Sequence, residues 1–463
     1  MLGTILFGVF GLACLVGIAW AFSNNRGAVD WRLVATGISL QVAFAALVLL
    51  APGGRQVFEA LGHGFVKLLE FTQVGAALVF GDLSNAERMG KAVVAGQQLA
   101  DAQVVNVDPA TGVGAVTAKG WDPQAWKAFG FVFAFQVLPT IIFFAALMGV
   151  LYHAGVMQQI VRGMAWAITK LMRVSGAETT SVCASIFIGQ TEAPLTIRPY
   201  IAKMTPSELL TIMVGGMAHI AGGVLAAYVG MLGGGDPEQQ AFYAKHLLTA
   251  SIMAAPATLV ISKILAPETG EPLTRGTVRM DVEKSTVNVI DAAAGGASDG
   301  LRLALNVGAM LLAFVALIAL LNAPLTWLGE ASGLAAWLGR PTDLGTLLGY
   351  VMAPVAWIIG VPWQDAVQVG GLIGQKIVLN EFIAYLQLAE IKDTLTDQGR
   401  LVATYALCGF ANFSSIAIQL GGIGGLAPER RGDIARLGMR AVLGGSIATF
   451  MTATIAGVLT RFG

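Results

Sequence analysis

Ile188-Gly189-Gln190-Thr191-Glu192-Ala193-Pro194-Leu195 sets an amide, a hydroxyl and a carboxylate side by side in a chain that is 56% hydrophobic. The flanking run, 175–200, is apolar enough to read as one helix, but Gly189 and Pro194 break it at its middle. Two half-length segments around a polar tip predict a re-entrant hairpin. Such backbone is tolerated at membrane depth only where protein or water covers it. A second polar tip, Leu379-Asn380-Glu381-Phe382, interrupts the apolar run 363–388, which also holds Gly374, Gln375 and Lys376. Each hairpin is followed, roughly thirty residues on, by a Gly-rich break in an apolar helix. The four pieces read as one binding site made by two copies of a repeat.

Composition sets the class. Only 12% of residues are charged, against about 25% in an ordinary soluble domain, and the mean hydropathy is +0.71. Several apolar runs reach the ~20 residues that span a bilayer core. The net charge is zero, so there is no electrostatic footprint for a nucleic acid. Cys14, Cys183 and Cys408 are scattered through apolar runs. That is neither a disulfide framework nor a zinc site. The apolar run 2–22 has no Lys or Arg before it and is long for a signal peptide, so it is expected to be a retained span.

The expected fold is an all-α polytopic membrane protein with eight transmembrane helices, two re-entrant hairpins, interfacial helices and inverted repeats. The spans are helix 1 (2–22), helix 2 (33–51), helix 3 (128–152, kinked at Pro139), helix 4 (205–232), helix 5 (247–265), helix 6 (303–321), helix 7 (401–420) and helix 8 (434–459). Thr205, Pro206 and Glu208 form a capping box with proline at the first helical position. Phe58, Leu61, Phe65 and Leu68 recur at helical spacing with Glu59, His63 and Lys67 between them, as in an interfacial helix. A second such helix alternates Val161, Met164, Ile168 and Leu171 with Arg162, Lys170 and Arg173. A polar insertion is expected at 82–122, a charged stretch at 266–300 and an apolar outer segment at 344–360.

The two helix breaks are alike: Gly216-Met217-Ala218-His219-Ile220-Ala221-Gly222 beside Gly409-Phe410-Ala411-Asn412-Phe413-Ser414-Ser415. Each follows a hairpin and precedes one last helix. A unit of three crossings and one re-entrant loop crosses an odd number of times, so its two copies are inverted, as in many secondary transporters. Lys and Arg favour both termini outside. The inner segments then hold Arg26, Arg32, Arg162, Lys170, Arg173, Arg198, Lys203, Lys263, Arg275, Arg279, Lys284, Arg302, Arg430, Arg431, Arg436 and Arg440, and the short outer loops hold Lys245, Arg340, Lys392 and Arg400. The long outer segment 52–127 holds six more, but long loops translocate largely regardless of charge.

A carboxylate at the bilayer centre costs roughly 2.5–3.5 kcal/mol on insertion scales, so Glu192 and Glu381 need a reason. One is structural: ion pairs with Arg198 and Lys376 that brace the hairpins. The other is a ligand or proton site. Gln190, Thr191, Asn380, Asn412, Ser414 and Ser415 supply donors and acceptors for a neutral, hydrogen-bonding solute. Phe410 and Phe413 can stack on a flat ring or simply pack. His219 is either a satisfied buried histidine or a proton or ion ligand.

The stretches 188–195, Asn380-Glu381-Phe382-Ile383-Ala384-Tyr385 and Cys408-Gly409-Phe410-Ala411-Asn412-Phe413-Ser414-Ser415 closely resemble the signature motifs of the concentrative nucleoside transporters. The resemblance runs from about residue 2 to the C-terminus, the insertion excepted. It implies a homotrimer of eight-span protomers, each with a transport domain that slides within a fixed scaffold. The scaffold would comprise 1–172 and 267–361, and the transport part 173–266 and 362–463. By resemblance, Gln190, Thr191 and Glu192 contact the nucleobase, Val224 and Phe410 pack on it, and Glu381, Asn412 and Ser415 hold the ribose hydroxyls. A ribose diol offers two donors, which an ionised carboxylate accepts in charge-assisted bonds.

The coupling ion is where the sequence departs from the pattern. Sodium-coupled relatives place an Asn five residues before the motif Gln and a small hydroxyl residue on helix 4. Here those positions are Ser185 and His219. The remaining implied ligands are the carbonyls of Ile188, His219 and Ile220. Proton-coupled members also have Ser at the first position, but Glu192-Ala193-Pro194-Leu195 follows the sodium-type motif. Sodium is the expected ion, with a weakened site, and a proton the alternative. The implied function is ion-coupled import of nucleosides, uridine-like and pyrimidine-preferring, across a bacterial inner membrane. A passive channel would need rings of like polar residues along a pore, whereas here the polar groups converge on two tips. A membrane-embedded enzyme is disfavoured by the lack of HExxH or paired Asp-rich motifs.

Overall fold

The computed structural model describes residues 2–85, 103–107, 114–117, 132–234, 236–277 and 286–462. Among them, seven helices are long and apolar enough to cross a membrane: Leu2–Ala21, Trp31–Leu49, Phe133–His153, Pro206–Gly233, Pro237–Leu265, Val289–Ala331 and Pro428–Leu459. The remaining expected span, helix 7, is two pieces, Asp397–Ala406 and Phe413–Leu426. Helices 4, 5 and 8 form the centre, with 83–89% of their most apolar windows buried, against 22–33% for helices 1, 2, 3 and 6. Polar side chains concentrate in that inner group, and the outer helices present leucine, valine and phenylalanine outward.

Helix starts follow local chemistry. Thr205 Oγ1 accepts from the Glu208 amide at 3.1 Å and the Glu208 carboxylate accepts from the Thr205 amide at 2.9 Å, so the expected capping box is present. Helix 5 begins ten residues before its expected start because Asp236 caps it, accepting from the Glu238 and Gln239 amides. Helix 6 begins at Val289, inside the stretch expected to be a charged loop. The reason is close packing. A Cβ on Gly149 would lie 2.6 Å from the Ala292 carbonyl oxygen, and one on Gly296 would lie 2.5 Å from that of Ala145. Helices 3 and 6 therefore cross through glycines, the device membrane helices use to bring backbones together. Helix 3 breaks at Val137, between Phe133–Gln136 and Leu138–His153, with Pro139 in the first turn of the second piece.

Both stretches with the interfacial pattern form helices, Pro52–Phe80 and Val156–Met172. His63 is exposed on the first. Glu59 on that helix binds Arg55 at 2.9 Å and Lys245 of helix 5 at 3.2 Å. These two bonds, Arg55 foremost, hold its carboxyl below its ordinary range. Within the insertion the described residues form one antiparallel ribbon, Gln103–Val107 with Gly114–Thr117, an addition to the expected all-helical class. The rest of 86–131 lies outside the described residues. The outer segment is a helix, Leu344–Ile358, that meets the long arm of the second hairpin, Trp363–Val378, at 117°. Gly349, Gly370 and Gly371 stand in that contact, where a Cβ on any of them would lie within 2.8 Å of the facing backbone.

Candidate functional site

Hairpin 1 consists of helix Gly176–Ile188, the polar tip, the 3-10 turn Ala193–Ile197 and the short helix Arg198–Ile201. Its first arm stops at Gly189, whose φ of 86° excludes most side chains. Hairpin 2 consists of helices Trp363–Val378 and Glu381–Ile391. Asn380 caps the second, its Oδ1 accepting from the Ile383 amide at 3.0 Å. Glu381 is therefore the first residue of a helix, where the dipole favours a negative charge.

The helix breaks meet these tips. Helix 4 runs Pro206–Ala218 and resumes at Gly222. Helix 7 resumes at Phe413, capped by Asn412, whose Oδ1 accepts from the Ser415 amide at 2.9 Å. Gly409 lies against the first break: a Cβ there would sit 2.8 Å from the Met217 carbonyl oxygen. The contact leaves no room for a side chain and crosses the two breaks at the centre of the molecule.

One hydrogen-bond chain then runs through both halves. Gln419 Nε2 donates to Gln190 Oε1 at 3.3 Å, and Gln190 Nε2 donates to Ser415 Oγ at 3.2 Å. Ser415 is bonded to Asn412, and Asn412 Nδ2 donates to Glu381 Oε2 at 2.9 Å. Tyr228 Oη donates to the other carboxylate oxygen, Oε1, at 3.1 Å. Each oxygen of Glu381 thus holds one internal donor and keeps lone-pair capacity for another.

Beside this chain lies a cavity of about 1040 Å³. Gln190, Thr191, Glu192, Val224, Glu381, Phe410, Asn412 and Ser415 all line it, as do Asn380 and Ser414. Phe413 does not; it is 44% exposed on the outer face of its helix. The two carboxylates differ. Glu381 is 4% exposed, whereas Glu192 is open to the cavity.

The bracing ion pairs, the alternative to a ligand site, are not formed among the described residues. Lys376 donates to the Ala406 carbonyl at 2.8 Å and to Thr449 Oγ1 at 3.2 Å rather than to Glu381. Arg198 is exposed and lines the cavity without an ion-pair contact to Glu192. The buried pair is elsewhere, Glu178 with Lys263 at 2.8 Å, at the root of hairpin 1.

Of the four expected ion ligands, only Ile188 lines the cavity; Ser185, His219 and Ile220 are buried behind it. Ser185 Oγ donates to the Ser181 carbonyl at 3.0 Å. His219 Nδ1 meets the Gly215 carbonyl at 2.6 Å, so Nδ1 carries the hydrogen and Nε2 is an acceptor. Nε2 is buried without a partner. A Cβ on Gly189 would lie 3.2 Å from the Ala221 Cβ, and one on Gly222 would lie 3.4 Å from the Phe187 carbonyl oxygen. The end of hairpin 1's first arm therefore abuts the helix 4 break. Two helix C-termini meet there, each with terminal carbonyls and the negative end of a dipole. Those donors fit a hard monovalent cation.

Sequence reasoning missed Gln419 and Tyr228. Gln419 carried a usable signal, a lone amide in the apolar run Ile416–Leu420. Tyr228 carried little, because a tyrosine in a membrane helix usually only packs. Here it also stacks on Tyr385 at 4.2 Å.

The chain is similar to known proteins along nearly its whole length. Residues 10–83 and 246–457 match the family models described as Na+ dependent nucleoside transporter N-terminus and C-terminus, and residues 134–235 match one described as nucleoside recognition. The nucleoside permease NupC of Helicobacter pylori is 39% identical, over 99% of this chain and 98% of its own. The sodium/nucleoside cotransporter 1 of Mus musculus is 35% identical over 97% of this chain and 63% of its own. The solved structure of CNTnw in an inward-facing substrate-bound state superposes with a TM-score of 0.82 at 40% identity, covering 99% of both chains. With these family models matched along the chain and relatives of this kind aligned over nearly its whole length, the chain belongs to the concentrative nucleoside transporter family.

Proposed function

We propose that this multi-pass membrane protein imports uridine-like nucleosides, pyrimidines preferred, across the bacterial plasma membrane with both termini outside, driven by a sodium gradient. The observation that carries the substrate assignment is the hydrogen-bond chain from Gln419 to Tyr228 along one wall of the cavity. Glu381, Asn412 and Ser415 receive the ribose: the carboxylate has one free acceptor site on each oxygen for the two hydroxyls of a diol. Gln190, Thr191 and Glu192 face the base edge with donors and acceptors, and Val224 and Phe410 cover its faces. A sugar without a base, or a base without a sugar, satisfies only half of this wall.

Sodium is supported by the family models, described as Na+ dependent, and by the meeting of carbonyl ends at the hairpin 1 tip. Ser185, Ile188, His219 and Ile220 would hold the ion, which supplies positive charge where two helix dipoles end. Proton coupling has one observation of its own, the unpartnered Nε2 of His219.

Movement follows an elevator scheme in a homotrimer, with 173–266 and 362–463 travelling against the remainder. The close glycine contact between Leu344–Ile358 and hairpin 2 lies on that boundary, where the absence of side chains leaves two smooth backbones facing each other. Uptake of radiolabelled uridine into proteoliposomes, with sodium and pH gradients imposed separately, tests substrate and ion together. Uptake that neither saturates nor responds to any gradient would overturn the proposal.

A further inference from the structure

We infer that Gln419 is a positioning residue that sets base selectivity by fixing which end of the Gln190 amide faces the substrate. It rests on the nucleoside function proposed above. A glutamine amide is nearly symmetric in shape, and turning it over exchanges a donor for an acceptor. Something must therefore decide which end of Gln190 a base meets. That decision starts at a backbone carbonyl. Gln419 Nε2 lies 2.9 Å from the Met213 carbonyl oxygen, which can only accept. Gln419 must present its nitrogen there, and the second hydrogen of that nitrogen points to Gln190. Only the Gln190 oxygen can receive it, so the Gln190 nitrogen is turned to Ser415 Oγ.

Polarity is thus relayed from the main chain to the binding tip through two amides. Gln190 keeps one N–H and one lone pair for the substrate, and Ser415 keeps its own hydroxyl hydrogen to donate. The free N–H of Gln190 lies at the Ser415 end, which suits a base edge that presents a carbonyl there, while the Ser415 hydroxyl stays available to the ribose.

Gln419 itself is wholly buried and does not line the cavity, so it acts through Gln190 and not on the solute. Gly216 makes the meeting possible. A Cβ at that position would lie 2.8 Å from both Gln190 Cβ and Gln419 Nε2. The missing side chain at Gly216, in the last turn before the helix 4 break, thus leaves a slot, and the two amides fill it.

The test measures uridine, cytidine and inosine binding by titration calorimetry to the purified full chain and to Gln419→Leu, with Gln419→Met as a second variant should the first fail to fold. The expected result is a loss of about tenfold for the best-bound nucleoside, with affinities for the three converging by fivefold or more. In a Gln190→Leu background the same substitution should cost no more than twofold, because no amide remains to be oriented. A proportional loss for all three nucleosides, or an equal loss in both backgrounds, would overturn the inference and leave Gln419 a packing residue. Absence of nucleoside binding to the unsubstituted protein would instead condemn the proposed function on which it rests.

Discussion

Hairpin 1 carries its carboxylate in the open, and hairpin 2 buries its own under two hydrogen bonds. Glu192 faces the cavity without an ion-pair partner among the described residues, whereas Glu381 is gripped by Tyr228 and Asn412. The roots of the hairpins differ in the same sense but with the halves exchanged. Hairpin 1 is tied down by a buried ionic cluster, Glu178 to Lys263 at 2.8 Å, with Lys263 also on Ser207 at 3.0 Å and Glu268 at 3.3 Å. Hairpin 2 is tied by one carboxylate, Asp365, that accepts from the amide and hydroxyl of Thr396 at the start of helix 7. In both repeats the root is fastened to the N-terminus of the following helix, directly in one and through a lysine in the other. The two halves keep the same mechanical connection and differ in its chemistry. A tip whose root is rigid can stay polar and open; a tip with a simpler root carries its own internal bracing.

The largest expected effect lies at those roots. Lys263→Met leaves Glu178 buried and unpaired, and removing one partner of a buried pair costs about 3–5 kcal/mol. Asp365→Asn keeps an oxygen that can accept from Thr396 and should cost about 1 kcal/mol, the worth of an ordinary hydrogen bond. Thermal unfolding of the two variants in detergent checks the contrast. Equal shifts would mean that the two roots are energetically alike and that their different chemistry has no consequence.

Next in size is the contrast between the tips. Glu381→Gln replaces a carboxylate by an amide that cannot accept both ribose hydroxyls as strongly. A bond to a charged group is worth about 1.5–3 kcal/mol, so uridine affinity should fall by roughly ten- to a hundredfold. Glu192→Gln, in the open, should change it by only about threefold, since an exposed charge is screened by solvent. Calorimetric titration with uridine compares the two. A larger loss at Glu192 would place the ribose at hairpin 1 and reverse the assignment. Tyr228→Phe is a smaller version of the same test. It removes one neutral donor from Glu381, about 1 kcal/mol, and should weaken uridine binding by about fivefold while leaving sodium dependence unchanged.

What the sequence disclosed divides along a physical line. Hairpins, breaks and caps were legible because they are made by residues with restricted backbones or local hydrogen bonds: Gly189, Pro194, Asn380, Thr205 and Glu208. Their effect is confined to a turn or two. The early start of helix 6 was not legible, because Gly295, Gly296, Asp299 and Gly300 look like a loop until helix 3 is laid against them. The outward turn of Phe413 was hidden for a related reason. Neighbouring Phe410 and Phe413 fall on different faces once Asn412 starts a new helix between them. Gln419 and Tyr228 act across 229 and 153 residues of chain, on partners no local pattern connects to them. The alternative ion pair of Lys376 with Glu381 is absent for the same reason. The lysine found the Ala406 carbonyl and Thr449, both distant in sequence, and the carboxylate found other donors.

The smallest expected effect concerns the ion, and it asks whether hairpin 1 holds sodium at all. Ser185 is turned back on its own helix, its hydroxyl donating to the Ser181 carbonyl. Its oxygen is short of reach compared with an asparagine amide, whose carbonyl oxygen extends one bond further and adds a strong acceptor. Sodium prefers a cage of oxygens, and in the proposed site the carbonyls of Ile188, His219 and Ile220 would supply part of one. Ser185→Asn should therefore raise sodium affinity several-fold and steepen the sodium dependence of uridine uptake. A proton carried on this tip makes the opposite forecast. Uptake would follow the pH gradient, ignore sodium, and fail in Glu192→Gln or His219→Ala. Measuring the unsubstituted protein and Ser185→Asn in choline and in sodium at one fixed pH separates the two. If Ser185→Asn gains no sodium response while a proton gradient alone drives the unsubstituted protein, then hairpin 1 is open because it exchanges protons, and the sodium assignment falls.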